Sequence, residues 1–590
     1  MTSTTSTRAA VHPDRREWRP DPTPARLTGA RTLAAALVDR AAREPDAVAY
    51  YLPEASEAPA DGESPEDAER MTVGQLHERA HAAGAALAAA GLGRGDRVIM
   101  CLDTSPELVA ALYGAALLGA VPMLAEPPLT VGRRKLWLDR VTHMVEVAGP
   151  TAVVCDEMLR EAAVEALAPL GLAVVCPPFT EGQVAEPAVD ADPEELALIQ
   201  FSSGTTSSAK GIMLSHRGMF AAARSIGEGI PYRRGDIMIS WLPLHHDMGM
   251  VGGLLSTFLH DLPSALFRPL SFATRPQLWL RTIHRYRGTV SPAPNFAYRL
   301  VASTAHRMDL AGLDLSCWRS AFNGAEVVEA GTMRDFTRAM LPHGFRPESM
   351  RPCYGMAELG LAASFAPVDS LPRVEVLSRT AMADRGVAVP PLSGQDAQEY
   401  VSSGLAVPGI RIRITDDGGR ELPEGHSGAV QVASDSMMTG YYGMPERTAE
   451  DLCEGWLNTG DLGFRLDGEL FVTGRSKDLI IIAGGNHQPQ PLELAATTVE
   501  GVRPGGVAAV GVLDPVQGTE RLVLVVESRL HADPEEAALL GKRVEQAVSR
   551  ATGLLPAEVV VVPRKTLPKT PSGKAQRPLL ARMLAEGTLP

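Results

Sequence analysis

The sequence is poor in the features that would staple it, carry it through a membrane or draw it to nucleic acid. Its six cysteines, Cys101, Cys155, Cys176, Cys317, Cys353 and Cys453, are scattered through 590 residues without a C-x-x-C pair. That argues against a zinc site and a disulfide framework and fits a reducing cytoplasmic setting. Basic residues are in deficit: the formal net charge is −14, which leaves no cationic excess to neutralise a phosphate backbone. No N-terminal apolar segment is available as a signal peptide. The opening residues, MTSTTSTRAAVHPDRREWRPDPTPA, are polar and proline-rich, and they are expected to be disordered. No internal repeat or coiled-coil heptad is present. Charge is missing altogether from the 18 residues 108–125, which touches the length of a membrane span. Alanine and glycine dominate that run, Pro122 interrupts it, and Ser105-Pro106-Glu107 ahead of it is a helix start. It reads as a buried helix ending near Gly119 and a short strand, not as a span.

What is present is an ordinary globular composition, 45% hydrophobic and 21% charged, over a length worth about four domain-sized units. After a tail at 1–27, alanine-rich helical patterns alternate with short apolar runs such as DRVIMCL and TAVVC over 28–190, and the alternation resumes over 191–362. Helix alternating with strand implies parallel sheets with helices on their faces. From 363 to 475 the texture changes to short strands bounded by turns, among them IRIRITDD, GAVQVAS and GELFVTG. Beyond 478, two strands, a helix over about 533–552, a further strand and a terminal helix make a compact α+β unit, 479–590. The fold class is α/β: a large N-terminal domain of two α/β subdomains and a small β-rich one, then a small α+β C-terminal domain.

The stretch IQFSSGTTSSAKGIMLSH, Ile199 to His216, concentrates hydroxyl residues ahead of Lys210. Backbone N–H groups, hydroxyls and a lysine are the groups that hold phosphate oxygens. It is not the G-x-x-x-x-G-K-[ST] loop, because Ala209 precedes the lysine and Gly211 follows it. The flanks read as two strands, with a helix only after Ser215, a candidate N-cap. On residues alone, a phosphate cradle and a polar turn both remain open.

Four further stretches stand out: CYGMAE (Cys353–Glu358), WLNTGDLGF (Trp456–Phe464), TGRSKDLIIIAGGN (Thr473–Asn486) and LPKTPSGKAQR (Leu567–Arg577). Each alone has a bland reading as a turn or a buried corner. In this order and spacing, together with the hydroxyl-rich loop, they resemble the adenylate-forming superfamily of acyl-CoA synthetases, luciferases and peptide-synthetase adenylation domains. Within it, WLPLHHDMGMVGG (Trp241–Gly253), SPAPNFAYRL (Ser291–Leu300) and LDLSCWRSAFNGAE (Leu313–Glu326) are similar to fatty acyl-AMP ligases. So are the extra residues at about 371–400.

The resemblance implies an enzyme that uses ATP and Mg²⁺ to turn a fatty or related carboxylic acid into acyl-AMP with loss of pyrophosphate. The acyl group would then pass to the phosphopantetheine thiol of a separate acyl carrier protein. Ser202, Ser203, Gly204, Thr205, Thr206 and Lys210 would cradle the leaving phosphates, with Glu358 and Thr206 at the metal. Asn323, Gly324, Ala325 and Glu326 would form the adenine pocket, and Tyr354, Gly355, Met356 and Ala357 would lie along the nucleotide. Asp461, assisted by Arg475, would take the ribose hydroxyls. His246 would stand beside the acyl site. Lys574 would stabilise charge at the α-phosphate, and Lys477, in 476–478, would be the hinge about which the C-terminal domain turns. NHQPQPLE departs from the family wording, with Gln488 in place of a tyrosine and an intruding Pro491, which bears on the domain contact. An acyl-CoA ligase of the same fold and a non-catalytic acyl- or nucleotide-binding relative are the competing readings. No nucleic acid and no membrane span enter any of them.

Overall fold

The computed structural model describes residues 21–53, 70–128, 134–180, 182–184, 186–202, 209–394, 396–482, 485–514, 519–569 and 575–589. Its largest sheet has nine strands. In spatial order they are Leu405–Ala406, Ala362–Phe365, Met350–Gly355, Ser320–Gly324, Val290–Pro294, Met238–Ser240, Ser264–Leu266, Val48–Tyr51 and Arg70–Thr72. The six central strands run parallel and the outer ones antiparallel. A second, wholly parallel sheet orders Val121–Leu124, Arg97–Cys101, Ala152–Cys155 and Ala173–Val175. Strands Val48–Tyr51 and Arg70–Thr72 therefore do not stay with the first stretch of sequence that contains them: Tyr51 pairs with Ala265. Strand partners are decided by side-chain packing in the folded molecule, which local patterning does not carry.

The uncharged run is the helix Pro106–Leu118, N-capped by Ser105 and closed by Gly119 at φ 68°. It is buried nearly all round, as an all-apolar helix requires. It crosses the helix Val73–Ala89 in backbone contact: a Cβ on Gly114 would lie 2.7 Å from the Ala80 carbonyl oxygen and from Gly84 N. Neither glycine tolerates a side chain there. Among the described residues no helix is long and apolar enough to cross a membrane.

Part of the expected tail is ordered. Pro24 bridges to Arg233, and Ala25 N–H donates to the Tyr232 carbonyl at 2.8 Å. Leu27 packs against the core, which supplies the burial that the polar composition of the segment hides.

The β-rich unit is a five-stranded antiparallel sheet of Ile410–Thr415, Gly428–Ser434, Trp456–Leu466, Leu452–Cys453 and Glu469–Arg475. Ahead of it, residues 371–400 contain the strand Val374–Ser378 and the helix Arg379–Arg385, and Ala397–Val401 returns antiparallel to the first strand. Leu377 and Tyr400 of this segment are buried with Phe464 and Phe471 of the sheet. The C-terminal unit is the three-stranded sheet Val507–Asp514, Thr519–Glu527 and Glu558–Val562 with the helices Pro489–Thr497, Pro534–Thr552 and Arg577–Ala585.

Candidate active site

The strands Met238–Ser240, Val290–Pro294, Ser320–Gly324 and Met350–Gly355 all deliver their carboxyl ends to one side of the large sheet. Ligands of open parallel sheets bind at that edge. A cavity of ≈ 2340 Å³ opens there and continues to the C-terminal unit.

At one end of it, the antiparallel strands Leu196–Phe201 and Gly211–Ser215 form a hairpin, with Phe201 opposite Gly211. Ser202 and Lys210 close the base of its loop: Lys210 N–H donates to Ser202 Oγ at 3.0 Å, and Ser202 N–H to the Lys210 carbonyl at 2.9 Å. Ser203, Gly204, Thr205 and Thr206 lie outside the described residues, as does Lys574.

Lys210 Nζ stands 3.7 Å from the centre of the Tyr441 ring and 3.4 Å from Asp451 Oδ2. The Tyr441 hydroxyl lies 3.1 Å from that same Asp451 oxygen and 3.2 Å from Glu358 Oε1. A phenol has one hydrogen, so it serves only one of the two carboxylates at a time. Burial pushes the Glu358 carboxyl above its ordinary range, against the pull of Lys210. Burial likewise pushes the Lys210 ammonium down, opposed by Asp451 and Glu358. Glu358 reaches this place through a tight turn: a Cβ on Gly355 would meet the Leu361 carbonyl oxygen at 1.9 Å, so position 355 admits only glycine. Met356 N–H donates to that carbonyl at 2.7 Å.

Along the next wall, Tyr354 donates to Asp461 Oδ2 at 2.6 Å, and Arg475 Nε is 3.3 Å from Asp461 Oδ1. Asp461 and Arg475 are direct cross-strand partners. Ala325, just past its strand, has φ 63°, a conformation that costs a non-glycine residue energy and collects at functional sites. Glu326 Oε1 accepts from Phe296 N–H at 2.6 Å. Ala325, Glu326, Met356 and Ala357 all face the cavity. Asn323 and Gly324 stand behind its wall: Asn323 Nδ2 donates to Asn295 Oδ1 at 3.2 Å, and a Cβ on Gly324 would press on Cys353 Sγ at 2.5 Å.

His245 and His246 follow the strand Met238–Ser240, their rings 4.7 Å apart. Burial, with help from His246 and Arg140, drives the His245 imidazole far below its ordinary range. The π-helix Met248–Leu255 begins at once; such widened turns are rare and are frequently found at functional sites. The cavity also has an apolar lining of Ile226, Ile230, Met238, Phe322, Leu361 and Phe365, which pack in one cluster.

The far wall belongs to the C-terminal unit. Lys477 lies in the short turn Ser476–Asp478, and Ser476 Oγ donates to the Gly460 carbonyl at 3.0 Å. Gln488 fits against Gly474, where a Cβ would lie 2.0 Å from its Oε1. Arg577 reaches Asp478 at 2.9 Å and Glu493 at 2.8 Å. Among the described residues no group of three or more histidine, cysteine, aspartate or glutamate side chains is arranged to hold a metal. The structure thus gathers Ser202, Lys210, His246, Ala325, Glu326, Tyr354, Gly355, Met356, Ala357, Glu358, Asp461, Arg475 and Lys477 around one cavity. Sequence reasoning missed Tyr441, Arg447 and Asp451. The only local signal was the spacing of an arginine and an aspartate four residues apart after Pro445.

Residues 37–442 match the AMP-binding enzyme family. A Caulobacter vibrioides protein named as an acyl-CoA synthetase is 32% identical over 516 residues, 86% of this chain and 89% of that protein. The medium-chain-fatty-acid–[acyl-carrier-protein] ligase JamA of Moorena producens is 33% identical over 519 residues, 84% of this chain and 87% of JamA. A solved chain from studies of fatty acyl-adenylate ligases of E. coli and L. pneumophila superposes with a TM-score of 0.86 at 31% identity, covering 96% of this chain and 100% of its own.

Proposed function

The chain belongs to the AMP-binding enzyme family and is an adenylate-forming ligase, and from that premise we propose that it is a fatty acyl-AMP ligase that hands its acyl group to a separate carrier protein. The observation that carries this reading is the cavity itself. It is lined both by a polar set, Lys210, Glu358, Tyr354 and Asp461, and by an apolar set, Ile226, Ile230, Met238 and Phe365, which belongs to one core cluster. A nucleotide suits the first and an alkyl chain the second.

In this reading the acid's carboxylate attacks the α-phosphorus of ATP, the bond to the bridging oxygen breaks, and pyrophosphate leaves. The protein's work is positioning and charge stabilisation. Asp461, oriented by the Tyr354 hydroxyl and Arg475, takes the ribose diol, and Tyr354 and Ala325 flank the adenine. Asn323 and Gly324 support that pocket from behind. Ser202 to Lys210 hold the departing phosphates, His246 lies where the acid meets ATP, and Lys574 supplies charge at phosphorus. The site fits Mg²⁺: Glu358 is a half-buried carboxylate that shares one phenol hydrogen with Asp451, so a hard cation would complete its partners, with Thr206 as a second ligand. When bound, the ion neutralises phosphate charge. The six cysteines as free thiols suit a cytoplasmic enzyme.

For the second step JamA supports a carrier protein as acceptor, and the Caulobacter relative's name supports CoA. The segment 371–400 favours the carrier, because it stands between the large domain and the C-terminal unit. Arg379 meets Gly553 there, with a Cβ on that glycine 3.4 Å from Arg379 Nη2. The test is an acid-dependent pyrophosphate-release screen over C2 to C18 acids, followed by comparison of CoA with a phosphopantetheinylated carrier. Release with longer alkyl acids and slow CoA turnover is expected. CoA turnover as fast as adenylation would make this a CoA ligase.

A further inference from the structure

We propose that Asp451 is a positioning residue for Lys210, anchoring that ammonium group at the phosphate end of the cavity, with Arg447 and Tyr441 as its supports. This rests on the reading that the hairpin loop faces the phosphates of ATP.

The carboxylate is placed where helix energetics argue against it. Asp451 is the last residue of the helix Pro445–Asp451, at the negative end of its dipole. Its pair with Arg447 puts the cation four residues before the anion, the weaker order for such a pair. Local stability therefore does not account for it, whereas its long-range partner Lys210 does. Oδ2 meets Lys210 Nζ from 241 residues away and accepts from Arg447 Nε at 2.9 Å, while Oδ1 accepts from Arg447 Nη2 at 2.7 Å. The Asp451 side chain is 11% exposed and that of Lys210 26%, so the contact is largely shielded from the water that weakens surface pairs.

Both partners hang from one small sheet. Tyr441 is opposite Ile212, two residues after Lys210, and Tyr441 N–H donates to Thr448 Oγ1 of the Asp451 helix at 2.9 Å. A lysine is a point charge on a flexible stem; here the ring beneath it and the carboxylate beside it fix where the charge sits. Arg447 already neutralises Asp451, so the cluster of Lys210, Arg447 and Asp451 keeps a net positive charge toward phosphate.

The two possible effects of Asp451→Asn have opposite signs. If the carboxylate only opposes the phosphates as a like charge, its removal tightens ATP binding. If it positions Lys210, its removal leaves Arg447 unopposed beside the lysine and loosens binding. We expect the second. By calorimetry the dissociation constant of a non-hydrolysable ATP analogue should rise about tenfold, with a matching rise in KM for ATP and kcat within about threefold. Asp451→Glu, which keeps the charge, should recover part of the loss. In a Lys210→Met background Asp451→Asn should add nothing, since there is no ammonium left to position. Tighter or unchanged binding in Asp451→Asn, or equal effects in both backgrounds, would overturn the proposal. Should Asp451→Asn lose its cooperative thermal transition, Asp451→Glu in the two Lys210 backgrounds decides the same question. The calorimetric cycle needs no acid substrate, so absence of acid-dependent pyrophosphate release in the unaltered protein would sink the functional reading and leave this one decided separately.

Discussion

His216, the first residue of the helix His216–Gly229, is nearly inaccessible to solvent. Its Nδ1 accepts from Leu33 N–H at 3.4 Å, which requires a ring nitrogen without a proton. Burial lowers its pKa from 6.5 to about 4, against a small pull from Glu195. The unfolded chain therefore binds more protons than the native one between those values. Unfolding free energy should be fully present above pH ~6.5 and fall as pH drops toward ~4, by about 3 kcal/mol for this residue. His216→Asn, which offers an acceptor that does not titrate, should flatten the pH dependence of the urea midpoint over that window; an unchanged slope would refute the assignment. A second residue-scale expectation concerns chemistry. Lys574→Ala should cut adenylate formation roughly 10²- to 10³-fold, about 3–4 kcal/mol of charge stabilisation, while ATP binding and thioester formation from supplied acyl-AMP persist. Near-normal pyrophosphate release from that variant would remove Lys574 from the mechanism. Single residues were legible where the chemistry is local. Tyr354 and Asp461 could be named from their motifs, but their mutual hydrogen bond could not, because 107 residues separate them. Asp451 was invisible for the same reason.

At the scale of elements the termini were the readable part, because caps are written in adjacent residues. Ser215 caps its helix through Gly218 N–H, Ser105 through Leu108 N–H, and Gly119 takes the left-handed conformation that ends another. The π-helix Met248–Leu255 also has a local cap, Asp247 accepting from Met248 N–H at 2.8 Å, but nothing adjacent marks its widened turns. It depends on Gly249, where a Cβ would fall 2.2 Å from the Pro243 carbonyl oxygen, and that contact exists only after folding. The helix Arg577–Ala585 shows how an element is tied down. Arg577, just past the Lys574 loop, is enclosed by Asp478 of the turn and Glu493 of the helix Pro489–Thr497. Arg577→Met should destabilise the C-terminal unit by about 1–3 kcal/mol, since two half-buried carboxylates lose their counter-charge. A thermal melt of the full chain should show an early transition, and hydrogen exchange should map it to 479–590. Wild-type protection there would mean the pairs are replaceable by water.

Across the whole molecule, one cavity is walled by both domains, so any rotation of the C-terminal unit would rebuild it. The segment 371–400 stands at that joint. Replacing residues 379–396 by a short turn, with the buried Leu377 and Tyr400 retained, should raise CoA-dependent turnover without raising adenylation. A closed-state bias of about 2.7 kcal/mol would make the gain roughly a hundredfold. Measuring both half-reactions on the same preparation checks it, and a parallel loss of both would point to damage instead. The large sheet carries a different consequence, one of timing. Tyr51 pairs with Ala265 in parallel, so the strand Val48–Tyr51 leaves the ribosome long before its neighbour is made. At ~5–20 residues per second, that strand waits roughly 10–40 s with only the three-residue strand Arg70–Thr72 to cover one of its edges. The birth of this protein thus contains an interval in which an apolar VAYY edge is on offer to any passing chain, and the yield of folded molecules should depend on how quickly translation closes it.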